Sequence, residues 1–154
     1  MSTVTTPATA PFASSIKAME FVLAGNAYFT VQSEKTGTRF TYRVKRARMQ
    51  PPVWFVSVLT GPDNTTDYSY LGLIRPPKGL PDGPLAFEHG AKSRVAPTAP
   101  SVIAAFWVFG QLLRNRPTPQ CSIFHEGRCG RCGRRLTVPE SIQSGFGPEC
   151  IQHV

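Results

Sequence analysis

The sequence predicts an α+β fold in which an antiparallel β meander carries one apolar helix and a small cysteine-bearing module ends the chain. Three observations predict it. Apolar and polar residues alternate through the segments between Met19 and Arg75, one long apolar run lies between Pro100 and Pro117, and three of the four cysteines follow residue 128. The expected organisation is an arm over residues 1–15, a β-rich domain with its helix over 16–116, and a module over 117–154. A length of 154 residues suits one ordinary domain with a small appendage. The composition excludes a collagen, a coiled coil and a fully disordered chain.

The first 15 residues are Thr, Ala, Ser and Pro without charge, which reads as a disordered arm. Next, Ala27 to Ser33 and Thr38 to Arg46 read as strands flanking "EKTG", whose Gly suits a tight hairpin. In the second strand Phe40, Tyr42 and Val44 alternate with Arg39, Thr41, Arg43 and Lys45, so cations share one face. "VWFVSVLTG" is too apolar for an edge strand, "GPDNTTD" is a turn, and "YSYLGLIR" is a fourth strand that Pro76 and Pro77 stop. Residues 76–100, rich in Pro and Gly, read as a functional loop or linker. A helix then starts at Ser101 as cap and ends before Pro117 with Arg114 and Arg116 near its C-terminus. Its apolar residues cover more than one stripe, so it is either wrapped by the sheet and loop or buried in a homo-oligomer.

No membrane partner is expected, because the longest apolar run, Val102 to Phe109, has eight residues where a spanning helix needs about 20. The N-terminus lacks both an early positive charge and an apolar segment, so a cytoplasmic, reducing compartment is expected. There the cysteine spacing favours a metal over disulfides. Cys129 and Cys132 form C-x2-C, with glycines that let both sulfurs face one point, and Cys150 follows at a helix start marked by Pro148 and Glu149. A knuckle followed by a helix N-terminus is the arrangement of a treble-clef-like zinc finger, and soft thiolates suit tetrahedral Zn²⁺. Three residues compete for the fourth position. His153 lies one helical turn after Cys150, His125 precedes Cys129 by four residues, and Cys121 reads more simply as a small core residue.

The stretch "CGRCGRRLTVPESIQSGFGPEC", Cys129 to Cys150, resembles a small zinc-module family of unknown function found in bacteriophage and bacterial proteins. Its pattern is roughly CxxCGRxLTxPxSIxxGxGPxC, and Leu136, Thr137, Pro139, Ser141, Ile142, Gly145, Gly147 and Pro148 fall in place. Members are sometimes attached to helicase-like or other nucleic-acid-processing domains. The resemblance implies a His shortly before the first Cys, which puts His125 ahead of His153. The whole chain also resembles small phage proteins that carry such a module after a β-rich half, which implies the cytoplasm of a bacterial host.

The chain holds 17 Lys and Arg against 9 Asp and Glu, a net charge of +8. Arg39, Arg43, Lys45, Arg46 and Arg48 form one acid-free cluster, and Arg128, Arg131, Arg134 and Arg135 form a second around the knuckle. Twelve of the cations are Arg, suited to phosphate forks and base stacking. Together they point to a nucleic-acid surface on which Tyr42, Tyr68 or Tyr70 stacks on bases. For either cluster alone, a solvated positive face explains as much. A closed Cys/His site makes the zinc structural, and the deaminase, HExxH, Walker and nucleophile-elbow patterns are not met, so no enzyme is expected. Two readings result: a zinc-stabilised nucleic-acid-binding protein, or a phage protein-interaction factor that inhibits a host defence or replication complex.

Overall fold

A computed structural model describes residues 10–154. Six antiparallel strands form one sheet: β1 (Asn26–Ser33), β2 (Arg39–Ala47), β3 (Val53–Leu59), β4 (Tyr68–Arg75), β5 (Ala86–His89) and β6 (Cys121–His125). Their order is β5-β4-β3-β2-β1-β6. The meander from β1 to β4 is the expected one. Gly37, at φ 77°, turns the first hairpin, and the Asp63 carboxylate accepts the N–H groups of Thr65 and Thr66 in the turn before β4. Two more strands extend it. β5 comes from within the Pro/Gly-rich segment, and β6 adds to the free edge of β1.

Period-two alternation divides the sheet into an inner and an outer face. Phe29, Val31, Tyr42, Val44, Val56, Val58, Ile74 and Ile123 are buried on the inner side. Against them pack α1 (Ser15–Val22) and α2 (Pro100–Leu112). The first helix replaces the end of the expected arm. Ser14 caps it by accepting the Lys17 N–H, and Ala18, Phe21 and Val22 form its buried i, i+3, i+4 stripe. Phe12 donates its N–H to the Ile123 carbonyl at 2.9 Å, so the described part of the arm, from residue 10, is ordered against β6. Residues 1–9 of the expected arm lie outside the described residues.

In α2 the cap is Ala99, not Ser101, because Pro100 takes the first helical position. The Ser101 carbonyl instead accepts the Tyr42 hydroxyl at 2.6 Å. The helix stops at Leu112, short of Arg114 and Arg116. Val102, Ala105, Phe109 and Leu112 are buried, whereas Ile103, Phe106 and Trp107 are exposed. Thus the sheet covers one side of this apolar helix, and Phe106 reaches only as far as the ring of Phe87, 4.9 Å away.

The expected boundary at residue 117 does not separate two cores. β6, which follows it, pairs with β1 over five positions, His125 opposite Phe29 and Cys121 opposite Ser33. Cys129, Leu136, Phe146 and Cys150 belong to the same buried cluster as Phe21, Phe29 and Tyr42. No helix among the described residues is long and apolar enough to cross a membrane.

Candidate metal centre and basic face

After β6 the chain folds back on itself through a short bridge between Arg128 and Arg135. The Cys129 N–H donates to the Arg134 carbonyl at 2.7 Å, and Gly133, at φ 81°, donates its N–H to the Cys129 carbonyl. This tight return is the knuckle that C-x2-C spacing calls for. Helix α3 (Pro139–Ser144) follows, with Pro at its start and Glu140 in its first turn. Gly145, at φ 83°, ends it in the left-handed conformation that disfavours any side chain. The chain then reaches Cys150, where the expected α-helix is a 3₁₀ turn, Cys150–His153.

These elements bring the sulfurs of Cys129, Cys132 and Cys150 within 4.8 Å of one another. Around a tetrahedral ion with metal–sulfur bonds of about 2.3 Å, sulfurs stand roughly 3.8 Å apart, so a small inward rotation of the thiols completes the set. Cys129 and Cys150 are buried and Cys132 is exposed. Burial pushes the Cys129 thiol up, but the backbone N–H groups of Cys132, Gly147 and Arg131 outweigh it and bring it down to about 7. Burial also raises Cys150, opposed by the Arg131 guanidinium, whose Nη1 lies 3.7 Å from its sulfur. A nest of N–H donors and one Arg therefore awaits anionic sulfur at this point. The three cysteines fit a metal ion.

His125 does not join them, which corrects its expected role. It is 3% exposed, between the rings of Phe12 and Phe21. Its Nδ1 accepts the Gly127 N–H at 3.0 Å and its Nε2 donates to the Ile142 carbonyl. Both ring nitrogens thus serve the fold, as the neutral tautomer with its proton on Nε2. Cys121 also stands apart, in β6, where burial and then Glu34 push its thiol up to about 11. His153, on the 3₁₀ turn, is exposed and lies outside the sulfur group.

The basic residues divide among three places. Arg39, Arg43 and Lys45 lie on the outer face of β2, as their alternation with the buried Tyr42 and Val44 requires. Arg46 has the opposite parity and sits over the Trp54 ring at 5.4 Å, while Arg48 lies beyond the strand. In the second cluster, Arg131 turns to Cys150, Arg134 and Arg135 are exposed, and Arg128 reaches the outer face. There its guanidinium covers Tyr28 at 5.0 Å and donates to Thr65. Arg43 covers Tyr68 at 4.8 Å, and the two tyrosines meet edge to face at 5.7 Å. Two cations 85 residues apart in sequence are thereby joined over one aromatic pair. Burial, then Glu126 and Tyr28, push the Tyr68 phenol up to about 12, so it stays neutral between the cations. Tyr42, expected to stack on bases, is instead fully buried under α2. Phe55, a half-exposed ring on the same outer face, was not among the expected site residues, although its place in "VWFVSVL" opposite Lys45 is the signal that finds it.

Fold and site define a small α+β protein with a cluster of three cysteines at the margin of the core and a basic, aromatic outer sheet face. Residues 122–154 match a family model described as a family of unknown function, DUF6011. No curated protein and no solved structure matches the chain.

The buried His125 carries a pH signature. Burial holds its imidazole below the usual range, against the Ile142 carbonyl and Glu126, which favour the proton. A histidine whose folded pKa is depressed stabilises the fold fully above its unfolded pKa of about 6.5 and loses that contribution as pH falls toward the folded value. The stability difference between the parent and His125→Asn is therefore expected to shrink from about pH 8 to about pH 5 in denaturant titrations. A difference constant over that range would show that His125 is not held neutral.

Proposed function

We propose that the chain is a zinc-stabilised, basic nucleic-acid-binding protein, encoded by a phage as the resemblance of residues 129–150 implies. The single observation that carries the binding role is the convergence of Arg43 and Arg128 over the Tyr28–Tyr68 pair. Guanidinium groups held over rings keep N–H groups for phosphate, and Arg128 is positioned further by its bond to Thr65 before any ligand arrives. The +8 charge supplies long-range attraction to a polyanion. The role is binding, with the metal structural rather than hydrolytic.

Zinc is the metal that three thiolates favour, and His153, exposed on the same 3₁₀ turn as Cys150, would turn inward to serve as the fourth donor. In a 3₁₀ turn residues three apart eclipse, so His153 follows Cys150 on one side of the turn. Purified protein is expected to carry one zinc per chain. His153→Ala should lower zinc affinity by at least about tenfold in competition with a chelating dye, a loss no smaller than that from removing a mere supporting hydrogen bond. Zinc retention equal to the parent's would remove His153 from the site.

The binding role is tested by titrating labelled single- and double-stranded oligonucleotides at several salt concentrations. Replacing both Arg43 and Arg128 by Ala is expected to reduce the slope of log K against log salt by about 1.4 for single strands, at roughly 0.7 per phosphate contact. A parent protein that binds no nucleic acid at low salt would defeat the proposal. That outcome would favour a second reading, a protein-interaction factor acting on a host defence or replication complex, which the exposed Ile103, Phe106 and Trp107 of α2 support.

A further inference from the structure

On the outer face, cross-strand register places Tyr28, Arg43, Ser57 and Tyr70 in one row from β1 to β4. The adjacent row runs Lys45, Phe55, Leu73 and Glu88 from β2 to β5. Ser57 is small and buried, so it forms a low floor between larger neighbours. Beside it Phe55 stands 42% exposed, 6.3 Å from the Tyr70 ring. A Cβ on Gly90 would lie 2.6 Å from Tyr70, so the glycine backbone is pressed against that ring and holds it in place. Phe55, Tyr70 and Leu73 line an open cleft of about 560 Å³ whose rim carries Lys92 and the Arg75–Glu88 ion pair at 2.9 Å. The pair neutralises Glu88, so Lys92 leaves the rim positive, and Lys45 stands opposite Phe55 on the neighbouring strand.

We propose that the Phe55–Tyr70 cleft is a base-stacking site for an extended single-stranded nucleic acid that crosses the β-strands from Arg128 and Arg43 to Phe55. This rests on the nucleic-acid reading above and specifies its ligand. Strands about 4.8 Å apart put β4 roughly 14 Å from β1, which two nucleotide steps of an extended chain at about 7 Å each can span. Phosphates then lie at Arg128 over β1 and at Arg43 on β2, Lys45 stands opposite Phe55 where the chain reaches β3, and a base enters the cleft face-on to Phe55. A single strand is favoured over a duplex because its base faces are free. Ring stacking and phosphate contacts engage groups that DNA and RNA share, so the two kinds of strand are expected to bind alike.

The test uses the full zinc-loaded chain and three labelled probes of equal length: oligothymidylate, oligouridylate, and an abasic deoxyribose-phosphate strand. The parent is expected to bind both base-bearing strands equally, and each roughly tenfold or more tightly than the abasic strand. Phe55→Ala should remove that preference while keeping the salt slope and the thermal midpoint, and Phe55→Trp should restore it. A Phe55→Ala variant that keeps the parent's preference for bases would overturn the stacking site and leave phosphate binding intact. Failure of the parent to bind any probe, in contrast, would defeat the nucleic-acid reading itself.

Discussion

Phe21 sits where α1, β6 and the cysteine module meet, fully buried, with the rings of Phe12, His125 and Phe146 at 5.1, 5.7 and 5.8 Å. Two glycines of the module close on it. A Cβ at Gly130 would come within 2.7 Å of the ring and one at Gly145 within 2.8 Å. Those same glycines are tied together, since the Gly130 N–H donates to the Gly145 carbonyl, and the Gly130 carbonyl accepts the Asn26 N–H at the start of β1. Truncating a buried Phe costs about 3–5 kcal/mol, against about 5–15 kcal/mol for the stability of a whole domain. One side chain therefore joins knuckle, helix and sheet at a strength that a domain of this size cannot lose lightly.

From that junction the positions of the cysteine cluster and the basic outer face follow. With His125 locked beneath Phe12 and Phe21, Glu126 leaves β6 toward the outer face. There its carboxylate accepts the Thr30 hydroxyl at 2.6 Å and the Asn64 amide at 3.3 Å. Two residues on, Arg128 lands over Tyr28, and Cys129 turns back into the core. A single short segment thus sets the first sulfur of the candidate metal centre and a cation of the outer face. The backbone bonds of the knuckle, Cys129 N–H to the Arg134 carbonyl and Gly130 N–H to the Gly145 carbonyl, fix this segment, and a metal ion held by the three cysteines would brace it further.

Much of this was legible in the sequence, and the misses have physical causes. The β1–β4 meander follows from period-two alternation, and the sulfur group follows from cysteine spacing and the glycines of the knuckle. α1 left a signal too: Ser14 as cap and Ala18, Phe21 and Val22 at helical spacing lay at the edge of a Thr/Ala/Ser-rich stretch whose composition masked them. β5 and β6, of four and five residues, are too short for periodicity to reveal. Their pairing with β4 and β1 is a tertiary outcome. His125 was misread because spacing cannot separate a ligand from a buried histidine whose two nitrogens are taken by backbone groups. The joining of Arg43 to Arg128 needed the fold, since nothing local relates residues 85 positions apart.

The central claim, that cysteine cluster and sheet share one core through Phe21, is tested most directly by backbone hydrogen exchange with and without a zinc chelator. Stripping the metal is expected to reduce protection in β6 and β1 as well as in residues 126–154, while β3 and β4 keep theirs longer. Protection lost only in residues 126–154, with β1 and β6 unchanged, would contradict it and make the module an independent appendage.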